Sequence, residues 1–167
     1  MNKTMILDQF AFQRHYLSLL VDDIPDEQMT AQPGGVVNHP AWQLGHLAFV
    51  ADRFAKTLGG TSTLDATWEA RFGQNTVPNP VRAASPSKAE LIRMLDDRRN
   101  AVAKAFLAAS PEDLAKPNPI ARLVTVLPTI GHLAIFGLIS HESQHLGQLA
   151  TWRRAAGMPM ATSKLPG

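Results

Sequence analysis

Four long stretches of the chain repeat apolar residues at steps of three and four, and this helical periodicity limits the folds open to the chain. The stretches run from about Ile6 to Ile24, from about Pro40 to Gly59-Gly60, from Ser87 to Ser110-Pro111, and from between Thr125 and Thr129 to Ala156. Apolar runs elsewhere are short and lie among turn residues, so no pair of strands is expected. The sequence therefore predicts an all-α fold, a four-helix bundle.

Residues that begin and end helices support these boundaries. Pro40 suits a first helical turn, where its missing N–H costs nothing. Ser87 and Glu90 have the spacing of a capping box, in which each side chain satisfies a free backbone amide. Gly157 can close the fourth helix, and Pro159 prevents its continuation.

Residues 61–86 separate the second and third predicted helices. Gly73 and several prolines predict a long loop there, with one short turn around Trp68. A connection of this length is usually functional or crosses the fold, and we expect it to contribute to substrate recognition. It is long enough to run back along a helix, which would leave helices two and three parallel.

At 167 residues the chain has the size of one domain, and we predict a single domain over residues 1–167.

Composition excludes several classes of protein. The chain has no cysteine, so a metal site must use His, Asp, Glu or backbone oxygen. The net charge is only +2 and the basic residues are scattered, which disfavours nucleic-acid binding. The N-terminal segment lacks the pattern of a signal peptide, and no apolar run reaches the ~18 residues of a membrane span. We therefore expect a cytoplasmic protein.

Two histidines four residues apart, His141 and His145, share one face of the fourth predicted helix. That face is otherwise mostly apolar and continues through Ala134, Leu138, Gln148 and Trp152. Burying two imidazoles without partners would cost roughly 1–3 kcal/mol each. A single buried histidine would more often serve packing through a local hydrogen bond, but a pair at this spacing favours a shared metal ion.

A third ligand is expected from helix two. His46 lies mid-helix on an apolar face. His39 precedes it by two turns, about 10 Å along the axis, too far to share the ion. His132 lies on the face opposite to His141, and the spacing neither supports nor excludes His15. The predicted ligands are therefore His46 and the two histidines of helix four, which leave a further coordination position open.

The segment beginning at His141 also matches H-E-x-x-H, in which Glu142 would be the general base of a metallopeptidase. No Asp or Glu follows Glu142, and Thr151 stands where an extended motif requires a third histidine. No sheet edge is predicted that could hold a peptide. Peptidase activity is therefore disfavoured.

Two motifs resemble those of the DinB-like superfamily of small four-helix metalloproteins, which includes bacillithiol- and mycothiol-dependent transferases. Ala41-Trp-Gln-Leu-Gly-His46-Leu-Ala is similar to the segment that carries the first metal histidine of that family. The segment from His141 to Gly157 is similar to its H-x-x-x-H-x-G-Q-x-x-x-x-R signature. The helix layout and long middle loop also fit, so the resemblance covers nearly the whole chain.

The resemblance implies an up-down-down-up bundle, a homodimer, and His46, His141 and His145 as ligands of a divalent metal ion. Zn²⁺, Ni²⁺ and Fe²⁺ all accept imidazole. It further implies a metal-dependent thiol S-transferase, with a low-molecular-weight thiol as co-substrate and a small-molecule electrophile as its partner; no catalytic acid or base is identified. The alternatives are a non-catalytic metal- or ligand-binding stress-response protein with the same site, and a purely structural bundle.

Overall fold

In a computed structural model, which describes residues 2–164, the chain is all-helical. The helices are α1 (Lys3–Val21), α2 (Pro40–Thr57), α3 (Ala66–Phe72), α4 (Lys88–Ala108), α5 (Pro111–Ala115), α6 (Ile130–Ile135) and α7 (Glu142–Ala155). A π-helical turn, Phe136–His141, joins α6 to α7. Over residues 2–164 the only β-type pairing is an isolated bridge between Pro117 and Thr129. The all-α prediction is confirmed; the single domain over residues 1–167 extends past the described range and stays a prediction.

Most helix ends fall close to the predicted residues. α1 ends at Val21, shortly before the predicted Ile24. α2 begins at Pro40 as expected. α4 begins after Ser87, whose hydroxyl accepts a hydrogen bond from the Glu90 amide at 3.2 Å. Within the loop of residues 61–86, the short turn expected around a tryptophan is the seven-residue helix α3.

The fourth predicted helix is not one continuous α-helix. It begins at Ile130 after the capping residue Thr129, and the π-helical turn Phe136–His141 interrupts it before α7. A π turn closes its hydrogen bonds over five residues instead of four and so carries an extra residue. Apolar periodicity does not resolve a single extra residue, which is why the sequence predicted an unbroken helix.

Helix α2 is the most deeply buried element of the fold. Every residue from His39 to Phe49 is buried. α2 packs along α4, while α1 packs along α7. A helix that is buried on all sides must satisfy its polar side chains inside the protein. Two such side chains, Gln43 and His46, therefore need internal partners.

Hydrogen bonds at both ends show that α1 and α4 run in opposite directions. Lys3, near the start of α1, donates to the carbonyl of Leu107 at the end of α4 (3.0 Å). Lys88, at the start of α4, donates to the carbonyl of Asp22, just after α1 (2.7 Å).

None of the helices in the described part of the chain combines the length and the apolar character that crossing a membrane requires.

The close approach of α2 to α3 depends on a glycine. A Cβ atom at Gly45 would lie 2.3 Å from a ring carbon of Phe72, which is itself buried. We expect Gly45→Ala to lower the free energy of unfolding by about 1–2 kcal/mol, because overpacking outweighs the gain in helix propensity. Urea denaturation measures the change.

The matched control for that substitution is Gly147→Ala in α7, where an added Cβ would meet no heavy atom within 4 Å. We expect Gly147→Ala to raise stability by up to about 1 kcal/mol through helix propensity alone. A Gly45→Ala variant as stable as wild type would contradict the tight contact with Phe72.

Candidate metal centre

Three histidine side chains converge between α2 and the helical run that ends in α7. One ring nitrogen from each of His46, His141 and His145 lies within 4.8 Å of the other two. Ring centroids are 4.9 Å apart for His46 and His145, and 4.7 Å apart for His141 and His145. The structure therefore brings together the three residues that spacing selected, and the group has the size of a metal-binding site.

His46 is oriented by contacts on two sides. Its ring stacks on Trp42, one turn earlier in α2, with centroids 4.7 Å apart and planes 11° apart. Its Nδ1 lies 2.7 Å from the carbonyl oxygen of Phe72, at the end of α3. A carbonyl only accepts, so Nδ1 carries the proton and Nε2 keeps its lone pair free for a ligand.

His145 is oriented in the same way by a side chain. Its Nδ1 lies 2.7 Å from Oε1 of Gln43, and the Gln43 amide nitrogen donates to the carbonyl of Asn38 (3.1 Å). The amide nitrogen is thereby committed, and Oε1 accepts the proton of His145. Hydrogen bonds of this kind fix the tautomer and ring orientation of metal-binding histidines.

His141 ends the π-helical turn, which α1 supports. The Gln13 amide nitrogen donates to the carbonyl of Ile139, within the turn, at 2.9 Å, and to the hydroxyl of Ser143 at 2.7 Å. π turns are frequent at functional sites, where they re-aim a side chain. The Nδ1 atom of His141 is buried and has no hydrogen-bond partner among the described residues. An imidazole with an unpaired nitrogen close to two other imidazoles is an arrangement that a metal ion could stabilise.

Burial keeps all three imidazoles neutral at neutral pH. It lowers the pKa of His46, and it lowers the pKa of His141 to about 4 and that of His145 to about 3. Repulsion between neighbouring imidazolium groups lowers the pKa of His141 and His145 further. A neutral imidazole has the lone pair that a metal needs. The donor set therefore fits a divalent ion that accepts nitrogen ligands.

An open cavity of about 500 Å³ lies beside the three histidines. His46 and His141 form part of its wall. Glu69, Gly73 and Gln74 also line it, so the loop of residues 61–86 contributes to the cavity. A metal ion held by the histidines would thus have access to a small molecule in the cavity.

The remaining histidines lie outside this group. His39 caps α2: its Nδ1 accepts from the Trp42 amide (3.1 Å) and its Nε2 donates to the carbonyl of Asn79 (3.0 Å). His132 is exposed and hydrogen-bonded to Thr129. His15 is exposed on α1.

Glu142 is engaged by an arginine. Its carboxylate accepts a hydrogen bond from Arg99, and both side chains are buried. The guanidinium also donates to the carbonyl of Phe10 and stacks on that residue's ring, 3.6 Å from the centroid. Burial raises the pKa of Glu142 to about 7, while the charge of Arg99 opposes the rise. A peptidase would need this carboxylate free to act on water, so the ion pair argues further against that hypothesis.

Sequence reasoning missed the residues that hold the histidines in place. Gln43 stands inside the motif that carries His46, one turn earlier and therefore on the same side of α2. Gln13 interrupts the apolar stripe of α1 between Phe10 and Leu17, at the position where another apolar residue would be expected. Both signals were visible as polar residues at core positions. The Phe72 carbonyl gave no signal, because backbone atoms do not appear in a residue pattern.

Comparison with known protein families gives one match. A family model described as the DinB superfamily matches residues 9–149, most of the chain and all three histidines. The chain belongs to the DinB superfamily. No curated protein and no solved structure matches it significantly. Membership in the DinB superfamily confirms the resemblance drawn from the motifs around His46 and His141.

Gln43 gives a test of the orienting hydrogen bonds. We expect Gln43→Leu to weaken Zn²⁺ binding about tenfold to a hundredfold, because His145 loses the acceptor that fixes its tautomer. Gln43→Glu keeps an acceptor for His145 but loses the donor to Asn38, and it should bind Zn²⁺ more tightly than Gln43→Leu does. Competition titration with a chromogenic chelator measures both affinities. Equal affinity in wild type and Gln43→Leu would show that the hydrogen bond does not tune the site.

The buried pair of Arg99 and Glu142 gives a test of structural role. We expect Glu142→Ala to destabilise the protein by about 3–5 kcal/mol, because Arg99 would be left buried without a counter-charge. Glu142→Gln retains a hydrogen-bond acceptor and should be milder. Zinc bound per folded chain should stay the same in both variants. Loss of zinc with unchanged stability would instead place Glu142 in the metal site.

Proposed function

We propose that this DinB-superfamily chain binds a divalent metal ion through His46, His141 and His145, and uses it to activate a low-molecular-weight thiol for transfer to a small electrophile. The observation that carries the proposal is the convergence of three neutral imidazoles beside an open cavity. Three nitrogen ligands leave a position for an exogenous ligand, the pattern of catalytic rather than structural sites.

A bound divalent ion would supply Lewis acidity, which lowers the pKa of a thiol that ligates it. The chain itself has no cysteine, so the sulfur must come from a second molecule. The protein residues supply orientation: the Phe72 carbonyl and the Gln43 amide oxygen hold the protons of His46 and His145 away from the open position.

Hydrogen-bonded pairs support the up-down-down-up arrangement that we propose for the four long helical segments. α1 and α4 run in opposite directions, as described above. α2 and α7 also run in opposite directions, since Asn38 before α2 contacts Gln148 (2.8 Å) while His46, further along α2, contacts His141 at the start of α7. The homodimer, the cytoplasmic location and the lack of a nucleic-acid partner stay predictions.

One observation favours the non-catalytic alternative, a metal- or ligand-binding stress-response protein. Apart from the histidines and two arginines, Glu69 is the only titratable residue among the described residues that line the cavity, and it is half exposed and lies 3.8 Å from Arg53. A reaction that requires proton transfer beyond the thiol would therefore lack an obvious catalytic group.

Metal analysis of the purified protein tests the site. We expect one Zn²⁺, Ni²⁺ or Fe²⁺ ion per chain in wild type, and loss of that ion in His46→Ala and His141→Ala, as measured by inductively coupled plasma mass spectrometry. His15→Ala, which changes an exposed histidine, is the control and should keep the ion. Wild type that holds no stoichiometric metal after loading with each ion would refute the proposal.

Thiol-consumption assays then separate the two functions. Metal-loaded protein is mixed with monochlorobimane and with bacillithiol, mycothiol, glutathione or cysteine. Metal-dependent turnover with one of these thiols, lost in His141→Ala, supports the transferase. Stoichiometric metal without turnover for any thiol supports the non-catalytic alternative.

A further inference from the structure

The cavity beside the three histidines is shaped for a mainly apolar molecule. Its volume of about 500 Å³ is that of a small-ligand site. Two imidazoles, those of His46 and His141, line part of it. The apolar part of the wall is formed by Phe49, Val50, Phe54, Leu123, Leu133 and Phe136. A molecule in this cavity would bury its body against aliphatic and aromatic carbon and could reach the histidines.

The charged groups of the cavity carry an excess of positive charge. The residues that line the cavity include two arginines, Arg53 of α2 and Arg122, and one carboxylate, that of Glu69. Glu69 lies 3.8 Å from Arg53, and both side chains are about half exposed, so this pair is weak. Arg122 makes no ion pair among the described residues: its recorded partner is the neutral amide oxygen of Gln74, at 2.8 Å. One guanidinium charge is therefore left for a ligand.

The loop that carries Arg122 is held at both ends. Asn118, which is only 4% exposed, donates from its side chain to the carbonyl of Leu127 (2.8 Å) and accepts from the Ile120 amide (2.9 Å). The hydrogen bond to Gln74 ties Arg122 itself to the opposite loop. These contacts restrain the backbone that carries the exposed side chain of Arg122 before a ligand arrives, which lowers the entropic cost of binding.

We propose that this cavity binds a small organic monocarboxylate, with the carboxylate on Arg122 and next to Arg53, and the apolar body extending toward His46 and His141. A guanidinium presents the paired donors that a carboxylate accepts. One excess positive charge matches one negative charge. The inference rests on the proposed function in one respect, that the bound monocarboxylate is treated as a substrate. Binding of the monocarboxylate to the cavity does not itself require the metal.

Two probes with the same body and different charge test the proposal: hydrocinnamate and its uncharged amide, hydrocinnamamide. Binding is measured by isothermal titration calorimetry on the full chain, metal-free and zinc-loaded. We expect wild type to bind the carboxylate about tenfold or more tightly than the amide, as one charge-assisted hydrogen bond predicts. This preference should fall as salt is raised.

Arginine variants locate the charge that is responsible. Arg122→Gln should remove most of the preference for the carboxylate, and the double variant with Arg53→Gln should remove the rest. Arg154→Gln changes an exposed arginine that does not line the cavity, and it should keep the full preference. Far-ultraviolet circular dichroism checks that each variant keeps its helices.

Three results would overturn the proposal: equal binding of the two probes by wild type, no detectable binding of hydrocinnamate, or a preference that survives in the double variant. A preference for the carboxylate that occurs only with zinc and is insensitive to both arginines would assign the carboxylate to the metal. That result would also overturn the proposal. A preference in the metal-free chain, lost in Arg122→Gln, would uphold it even if the chain binds no metal. The two proposals therefore fail separately.

Discussion

Three imidazole rings between α2 and the α6–α7 run, two of them buried and that of His141 half-buried, are the constraint on which the rest of this structure depends. Each ring brings two nitrogens into the protein interior, and buried polar atoms need partners. The Phe72 carbonyl and the Gln43 side chain satisfy one nitrogen each on His46 and His145. One ring nitrogen from each of His46, His141 and His145 lies within 4.8 Å of the other two. Lone pairs that face one another repel, so the arrangement is favourable when a cation lies between them. This electrostatic requirement is the physical reason to regard the group as a metal centre and not as three packing residues.

The surrounding core is organised to hold that group. Gln13 reaches from α1 to the π-helical turn and donates to the carbonyl of Ile139, just before His141. Arg99 reaches from α4 to Glu142 and to the backbone of α1, which ties three helices together through one guanidinium. Buried ion pairs add little net stability but are costly to break, so they specify one packing arrangement strongly. The polar residues of this core therefore fix how the helices pack more than they stabilise the fold. They also account for much of the polar content at otherwise apolar helix faces.

The absence of cysteine and the presence of an open cavity fit a reaction in which the chain and a second molecule supply different reactive groups. Under the proposed function, the chain would provide nitrogen ligands, apolar walls and cationic groups, and the reactive sulfur would come from a second molecule. Two segments that are remote in sequence line part of the cavity. One, which includes α3, carries Glu69, Gly73 and Gln74, and the other carries Arg122. The first segment also carries Phe72, whose carbonyl accepts a hydrogen bond from His46. The cavity wall and the histidine group therefore share a structural element.

The sequence by itself determined the four long helical segments apart from the π-helical interruption of the fourth, together with the all-α class, the family and the histidine pair of the fourth segment, because all of these follow from local periodicity or contiguous motifs. It also selected His46, since that histidine lies on an apolar helix face. Only the tertiary structure decided which atoms orient the rings. The partners are 26 residues apart for His46 and Phe72, 102 for Gln43 and His145, and 126 for Gln13 and Ile139. Contacts over such separations depend on how helices pack, and a backbone carbonyl or a π turn leaves no mark in a residue pattern. The cavity and the placement of Arg122 in its wall were likewise decided by packing, because they arise where segments distant in sequence meet.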